Sequence, residues 1–292
     1  MGQLDGKAAI VTGATSGIGA RIAEIFVEQG ARVLAAGRRA EEGQALVARC
    51  GDAMTFLRTD VTEEASVKAL VDHAIGTFGR LDCLVNNAGS GSPMVGIADV
   101  VAADFDTVFA TNVLGPMLGM KYAAPIMAKQ GGGSIVTIAS ASGLRAGIAG
   151  HIYSASKAAV IQLSRCVASE LGSRGVRLNT ISPGGIVTGI FAKSAGLDGA
   201  TADRVAGVIS DLFATVQVIP RAGQTDDIAQ AAVYLASDAA SFVTGHDLVV
   251  DGGLVPFGKY GFDESVEFRA EIGRLMKAEL EQRDRDACGT GA

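Results

Sequence analysis

This sequence predicts a doubly wound α/β fold, a parallel sheet of about seven strands with helices on both faces. Three observations predict it. Short β-branched runs alternate with longer segments of helical periodicity from near the N-terminus to about Gly253. The strand runs are apolar throughout rather than alternating, as strands buried on both faces require. A glycine-rich turn, TGATSGIG at residues 12–19, joins the first strand to the first helix.

The elements follow in order. KAAIVTG reads as a buried strand, and GIGARIAEIFVEQG as a helix with Ile18, Ile22, Ile25 and Phe26 on one face and Gly30 as its stop. ARVLAAG is the second strand and EEGQALVARC a helix. MTFLRTDV is the third strand and EEASVKALVDHAIGTFG a helix. LDCLVNNAG is the fourth strand. AADFDTVFATNVLGPMLGMKYAAPIMAKQ is a long helix, bent near Pro116. GSIVTIAS is the fifth strand, 151–173 the next helix and VRLNTISPG the sixth strand. DDIAQAAVYLAS is a helix and DLVVDGG the last strand. No repeat, low-complexity tract or linker divides this order, so residues 1–253 form one domain. Residues 254–292 form an extension expected to be partly helical, with Val266, Ile272, Leu275, Met276 and Leu280 at roughly helical spacing. It reads either as a helix packed on a partner subunit or as a solvated tail. Residues 189–224 carry weak helix signals after a strand's C-terminal end. They read as a lid over a ligand crevice or as a surface excursion.

Composition excludes several classes. The chain has 292 residues, 48% hydrophobic and 19% charged, with a formal net charge of −6. That gives no electrostatic reason to expect nucleic acid or an anionic membrane. Cys50, Cys83, Cys166 and Cys288 have no C-x-x-C spacing, and His73, His151 and His246 are isolated, so neither a disulfide framework nor a metal site is expected. No apolar run reaches spanning length and no secretory leader is visible, so a cytoplasmic protein is the expectation.

Gly13, Gly17 and Gly19 have G-x-x-x-G-x-G spacing, a departure from G-x-G-x-x-G that keeps the same physics. Glycines let the backbone approach a pyrophosphate, whose charge lies on the N-terminus of the following helix. The turn therefore points to a dinucleotide on a Rossmann-type sheet. At the end of the second strand, VLAAGRR has Arg38 and Arg39 where folds that prefer NAD often place an acid. An arginine there pairs with a 2′-phosphate, which favours NADP over NAD.

HIYSASKAAV, residues 151–160, sets Tyr153 and Lys157 four apart on one helix face. A phenol beside an ammonium is a possible acid–base device. Ser140, at the end of the fifth strand, and Ser142 are both candidates for a hydroxyl near that pair. Ser140 is preferred for its strand-end position and its thirteen-residue interval to Tyr153.

Together these motifs resemble the short-chain dehydrogenase/reductases, in their single-domain branch. The resemblance runs from GKAAIVTG to VVDGG. TGATSGIG is similar to the family's cofactor turn, which implies contacts from Gly13, Thr15, Ser16, Gly17, Ile18 and Gly19. Asp60 and Val61 match its adenine-contacting pair. NNAG matches its fourth-strand motif, with Asn87, Ala88 and Gly89 as cofactor contacts. Asn112 in TNVLG matches its long-helix asparagine. Ser140, Tyr153 and Lys157 match its catalytic serine and Y-x-x-x-K. PGGIVT, with Pro183, Gly184, Ile186 and Thr188, resembles its nicotinamide-holding loop.

The resemblance implies hydride transfer between a nicotinamide and a secondary alcohol or ketone, with no metal. Tyr153 would carry the proton, and the Lys157 charge would lower its pKa. Lys157 would also bond the nicotinamide ribose. Ser140 would donate to the substrate oxygen, and Asn112 would hold a water linking Lys157 to solvent. His151 is given no role, and Asp251 a structural one. Family members often form tetramers, so a homotetramer is expected. A 3-oxoacyl carrier-protein reductase is the nearest alternative, weakened by the few basic residues (Lys193, Arg204, Arg221) in 189–224. A nucleotide-binding regulatory protein without catalysis is the alternative from another class.

Overall fold

The structure, a computed structural model, describes residues 2–189, 201, 206–258 and 262–289. Strand β1 (Ala8–Thr12) is buried along its whole length, which an AAIVT run at the centre of a sheet requires. Helix α1 (Gly17–Glu28) leads to β2 (Arg32–Gly37), α2 (Ala40–Cys50) to β3 (Met54–Arg58), and α3 (Glu64–Phe78) to β4 (Cys83–Asn86). Helices α4 (Ala102–Phe109) and α5 (Gly115–Lys129) precede β5 (Gly133–Ile138), and α6 (His151–Leu171) precedes β6 (Val176–Pro183). Then come α7 (Ser210–Ala214), α8 (Thr225–Ala236), β7 (Asp247–Val250), the short α9 (Leu254–Phe257) and α10 (Phe262–Gly289).

All seven strands pair in parallel, in the order β3-β2-β1-β4-β5-β6-β7. Neighbouring side chains leave a strand on opposite faces, so β1 serves two cores at once. Ala9 and Val11 pack with Ile22 and Phe26 of α1 and with Ile228 and Val233 of α8. Ile10 packs on the other face with Leu70 and Val71 of α3 and Met120 and Met127 of α5. Each such buried aliphatic side chain contributes roughly 1.5–3 kcal/mol relative to exposure.

The long helix is interrupted one turn earlier than Pro116 suggested. Ala110–Leu114 form a π-helical turn between α4 and α5, and Pro116 falls in the first turn of α5. Proline lacks the N–H that would bond the Asn112 carbonyl, and its ring crowds that carbonyl. Widening the preceding turn relieves the crowding. The result is that Asn112, almost fully buried, faces the end of β4.

The C-terminal extension folds back on its own chain. Ile272 and Met276 of α10 are buried against Ile209, Phe213, Val216 and Ala222, and Phe268 and Leu280 extend the same stripe. Phe213 and Phe268 stack with ring centres 5.9 Å apart. Successive four-residue steps put 268, 272, 276 and 280 on one face, whereas Val266 lies more than a third exposed off it. This apolar seam supplies the covering that the spacing alone left between a partner subunit and solvent. Residues 190–200 and 202–205, which include Lys193, Arg204 and much of the suspected lid, lie outside the described residues, as do 290–292.

Met276→Ala should remove about 2–5 kcal/mol from the packing that holds α10 in place. Amide exchange should quicken across 206–216 and 262–289 while amides of β1 and β4 stay protected. Unchanged exchange in those two segments would show that the seam does not hold the helix.

Candidate active site

The strand order reverses between β1 and β4. Chains leave these neighbours in opposite directions, and a crevice opens above their C-terminal ends. Thr12 closes the floor of that crevice. Its Oγ1 accepts hydrogen bonds from the N–H groups of Asn87 (3.0 Å) and Ala88 (3.1 Å) and donates to the Val85 carbonyl. Asn87 returns the tie, its Nδ2 donating to the carbonyls of Thr12 (2.9 Å) and Gly13 (3.2 Å). The turn is thus stitched to β4. A Cβ at Gly19 would stand 2.2 Å from that Nδ2 and 2.4 Å from the Gly13 carbonyl, so only glycine fits. Gly13 has φ +66°, in the left-handed region, which again favours glycine. Helix α1 begins here with no acidic residue in its first turn, which leaves its positive end open to an anion.

The cleft above this turn has a volume of about 650 Å³. Gly13, Thr15, Ser16, Gly17, Ile18 and Gly19 line one end with Arg38, Asp60, Val61, Asn87, Ala88 and Gly89. The two arginines after β2 differ. Arg39 lies over the turn, its Nη2 donating to the Thr15 carbonyl at 3.1 Å, and pairs with Glu42 at 3.3 Å. Arg38 is exposed at the rim. The Asp60 carboxylate accepts from the backbone N–H and the hydroxyl of Thr62, and these bonds hold it below the usual carboxylate range.

Ser140, Tyr153, Lys157, Pro183, Gly184, Ile186 and Thr188 line the other end. Ser140 and Tyr153 line this end together. Ser142 stands behind Ser140, its N–H and hydroxyl both donating to Ser140 Oγ at 3.2 and 3.0 Å. The second serine therefore orients the first. Asn112 does not face the cleft. Its side chain is committed to the N–H and carbonyl of Ser90, each at 2.9 Å, and to Ser156 Oγ at 3.0 Å. The loop after β6 is pinned by Gly184 N–H to the Val250 carbonyl and by Gly185 N–H to Gln217 Oε1. Asp251 caps the turn after β7, accepting from the N–H groups of Gly253 and Val255. His151 is exposed.

The electrostatics correct one expectation. Lys157 Nζ lies 5.6 Å from the Tyr153 ring centre and donates to the Ile138 carbonyl at 2.9 Å. Burial lowers its pKa to about 8. Burial raises that of Tyr153, and the opposing influences are the Ser140 hydrogen bond and the charge of Arg269, not that of Lys157. Arg269, on α10, lines the same end of the cleft with Arg145, Phe213, Ser265 and Phe268. Nothing in its local sequence marks it, because only the folding back of α10 brings it there. Among the described residues no group of His, Cys, Asp and Glu has the arrangement of a metal site, and no helix is long and apolar enough to cross a membrane.

Residues 13–255 match the family model described as enoyl-(acyl carrier protein) reductase. The chain is 42% identical over 263 residues to momilactone A synthase of Oryza sativa subsp. japonica, covering 89% of this chain and 94% of the relative. It is 40% identical over 254 residues to secoisolariciresinol dehydrogenase of Forsythia intermedia (86% and 90% covered). It is 41% identical over 252 residues to (+)-borneol dehydrogenase 1 of Salvia officinalis (86% and 94%). A crystal structure described as ribose-5-phosphate isomerase from Brucella melitensis 16M superposes with a TM-score of 0.78 at 33% identity, covering 87% of this chain and 94% of that one.

The buried amine leads to a pH signature. Below about pH 8 Lys157 is charged in the folded chain and its burial penalty is fully present. Between about 8 and the ordinary lysine value of 10.5 the unfolded chain holds a proton that the folded chain lacks, so stability rises with pH. Denaturant titrations of the wild type and Lys157→Met should diverge across that window, by up to about 1.4 kcal/mol per pH unit. Parallel curves would remove the assignment.

Proposed function

Because this chain belongs to the short-chain dehydrogenase/reductase family, we propose that it moves a hydride between NADP and a secondary alcohol or the corresponding ketone. The chain is an oxidoreductase of CH–OH groups that uses a nicotinamide cofactor, and the finer reading adds the preferred nucleotide and the residue roles. The observation that carries it is that Ser140, Tyr153 and Lys157 line the same cleft as the glycine turn.

The cradle fits a dinucleotide. Gly19 tolerates no side chain, and the open end of α1 and the backbone of residues 13–19 suit a pyrophosphate. The nicotinamide would supply or accept the hydride when bound. The loop at Pro183, Gly184, Ile186 and Thr188 would hold its carboxamide, and the Lys157 amine its ribose hydroxyls. Ser140 donates a hydrogen bond to the substrate oxygen, where negative charge gathers as an alcohol is oxidised. Ser142 keeps that hydroxyl aimed. Tyr153 gives a proton to a carbonyl oxygen or takes one from an alcohol. Asn112, held by Ser90 and Ser156, would keep a water between Lys157 and solvent.

Arg38 supports NADP as the preferred form. It is exposed at the rim beside the adenosine end, where a 2′-phosphate would sit, and the end of β2 has no acid to repel one. The carrier-protein alternative needs a basic patch near the mouth. Arg221 is held by Asp227 through two bonds of 2.7 Å, which leaves it poorly placed to serve. Exposed Phe105 and Met117, on α4 and α5, are consistent with the homotetramer expected of the family.

Tyr153→Phe should lose about 10²–10⁴-fold in turnover of a ketone panel with NADPH. Quenching of bound NADPH fluorescence should show that the cofactor still binds. Near-normal turnover would refute the proton role, and no turnover of any ketone or alcohol by the wild type would favour the regulatory reading. Arg38→Asp should weaken NADPH far more than NADH. An unchanged ratio of the two dissociation constants would remove Arg38 from the nucleotide preference.

A further inference from the structure

Ser140 follows β5 in extended backbone, and the chain then closes a single 3₁₀ turn, Ala141–Gly143. That turn is held from both sides. The Gly143 N–H donates to the Ser140 carbonyl at 2.9 Å, and the N–H groups of Leu144 and Arg145 both donate to the Ala141 carbonyl at 3.0 Å. Gly143 also lies against α6. A Cβ there would stand 2.8 Å from the Lys157 carbonyl carbon and 2.9 Å from the Ala158 nitrogen, so a side chain would push the turn off the helix. Ser142 is thus fixed between the end of β5 and the helix that carries Tyr153, and it is buried. From there its N–H and its hydroxyl converge on one atom, Ser140 Oγ, at 3.2 and 3.0 Å.

We propose that Ser142 fills both acceptor places of the Ser140 hydroxyl and so makes Ser140 a one-way donor, which receives only a reacting atom that has a lone pair to offer. Ser142 is then a positioning residue that acts through Ser140. The proposal rests on the oxidoreductase reading above and deepens it. A hydroxyl oxygen has two acceptor places and one proton to give. Left alone, it turns about its Cβ–Oγ bond and gives or takes a hydrogen bond as its neighbour demands. Turned the wrong way, Ser140 would accept from an alcohol substrate, and the negative charge that gathers on the substrate oxygen would meet a lone pair instead of a proton. With both places filled from within the fold, that arrangement is removed before substrate arrives. The donor is then oriented in advance, which is the condition under which such a hydrogen bond stabilises a transition state most. A hydroxyl that accepts also donates more strongly, because linked hydrogen bonds polarise one another.

The test uses the full chain, a panel of ketones with NADPH, and the variants Ser142→Ala, Ser142→Cys, Ser140→Ala and the double alanine variant. Ser142→Ala should lower kcat about tenfold and move KM by no more than about threefold, since the loss falls mainly on the transition state. Ser142→Cys keeps most of the volume but offers only a weak donor, and it should fall with the alanine variant. In the Ser140→Ala background, Ser142→Ala should cost less than about twofold more, because a residue that acts through another has nothing left to act on. Losses that multiply in the double variant would place Ser142 on the substrate itself or in the fold alone, and would overturn the proposal. Full turnover by Ser142→Cys or by Ser140→Ala would overturn it as well. A second readout needs no turnover. Fluorescence quenching measures binding to the protein–NADPH complex of a ketone and of its isostere in which C=CH2 replaces C=O. The wild type should prefer the ketone about fivefold, and Ser142→Ala less than about twofold. An equal preference in both proteins, or none in either, overturns the proposal. A wild type that turns over no ketone yet shows a preference lost in Ser142→Ala would sustain the donor pair and defeat the oxidoreductase reading. Turnover with losses that multiply would do the reverse.

Discussion

Thr12 and Asn87 tie together the ends of two strands whose chains leave in opposite directions, and the cleft depends on that tie. Parallel strands β1 and β4 would otherwise end in two independent loops. The threonine hydroxyl takes up both N–H groups at the end of β4, and the asparagine amide holds the backbone of the glycine turn. Gly19 lies so close to that amide that no side chain fits. One small network thus satisfies buried polar groups, sets the height of the turn and fixes where α1 begins above the cleft. The same network sets the floor on which Ser140, Tyr153 and Lys157 converge from β5 and α6.

Desolvation governs the chemistry at the other end. The phenol and the amine of the Y-x-x-x-K pair stand in the same cleft, yet burial drives them toward the neutral form from opposite sides. At the phenol, Ser140 and the Arg269 charge oppose the effect of burial. The serine arrives on a strand end, and the arginine on a helix that returns from the far end of the chain.

The extension beyond Gly253 changes what the cleft is. Leu254, Ser265, Phe268 and Arg269, from α9 and α10, form a wall. The buried stripe at Ile272 and Met276 is what holds that wall in place.

Most of the frame was legible in the residues. Apolar strand runs, each followed by a periodic helix, dictate the seven-stranded parallel order, because such strands must be covered on both faces. The glycine turn was readable because of its context, with a strand before it and a helix after it near the chain start. The interruption of the long helix was legible in kind but not in place. Pro116 announces a broken ladder, yet the crowded carbonyl is four residues earlier, and the π turn forms there around Asn112. Apolar spacing predicted a helix in the tail, and local periodicity carries no information about which surface will meet it. By itself the sequence determined the elements, the glycine turn and the spacing of Tyr153 and Lys157, since these follow from local periodicity, backbone permissiveness and position along a helix. Only tertiary structure decided which charges act on Tyr153, because a field depends on distances between segments remote in sequence and on how much water is removed from between them.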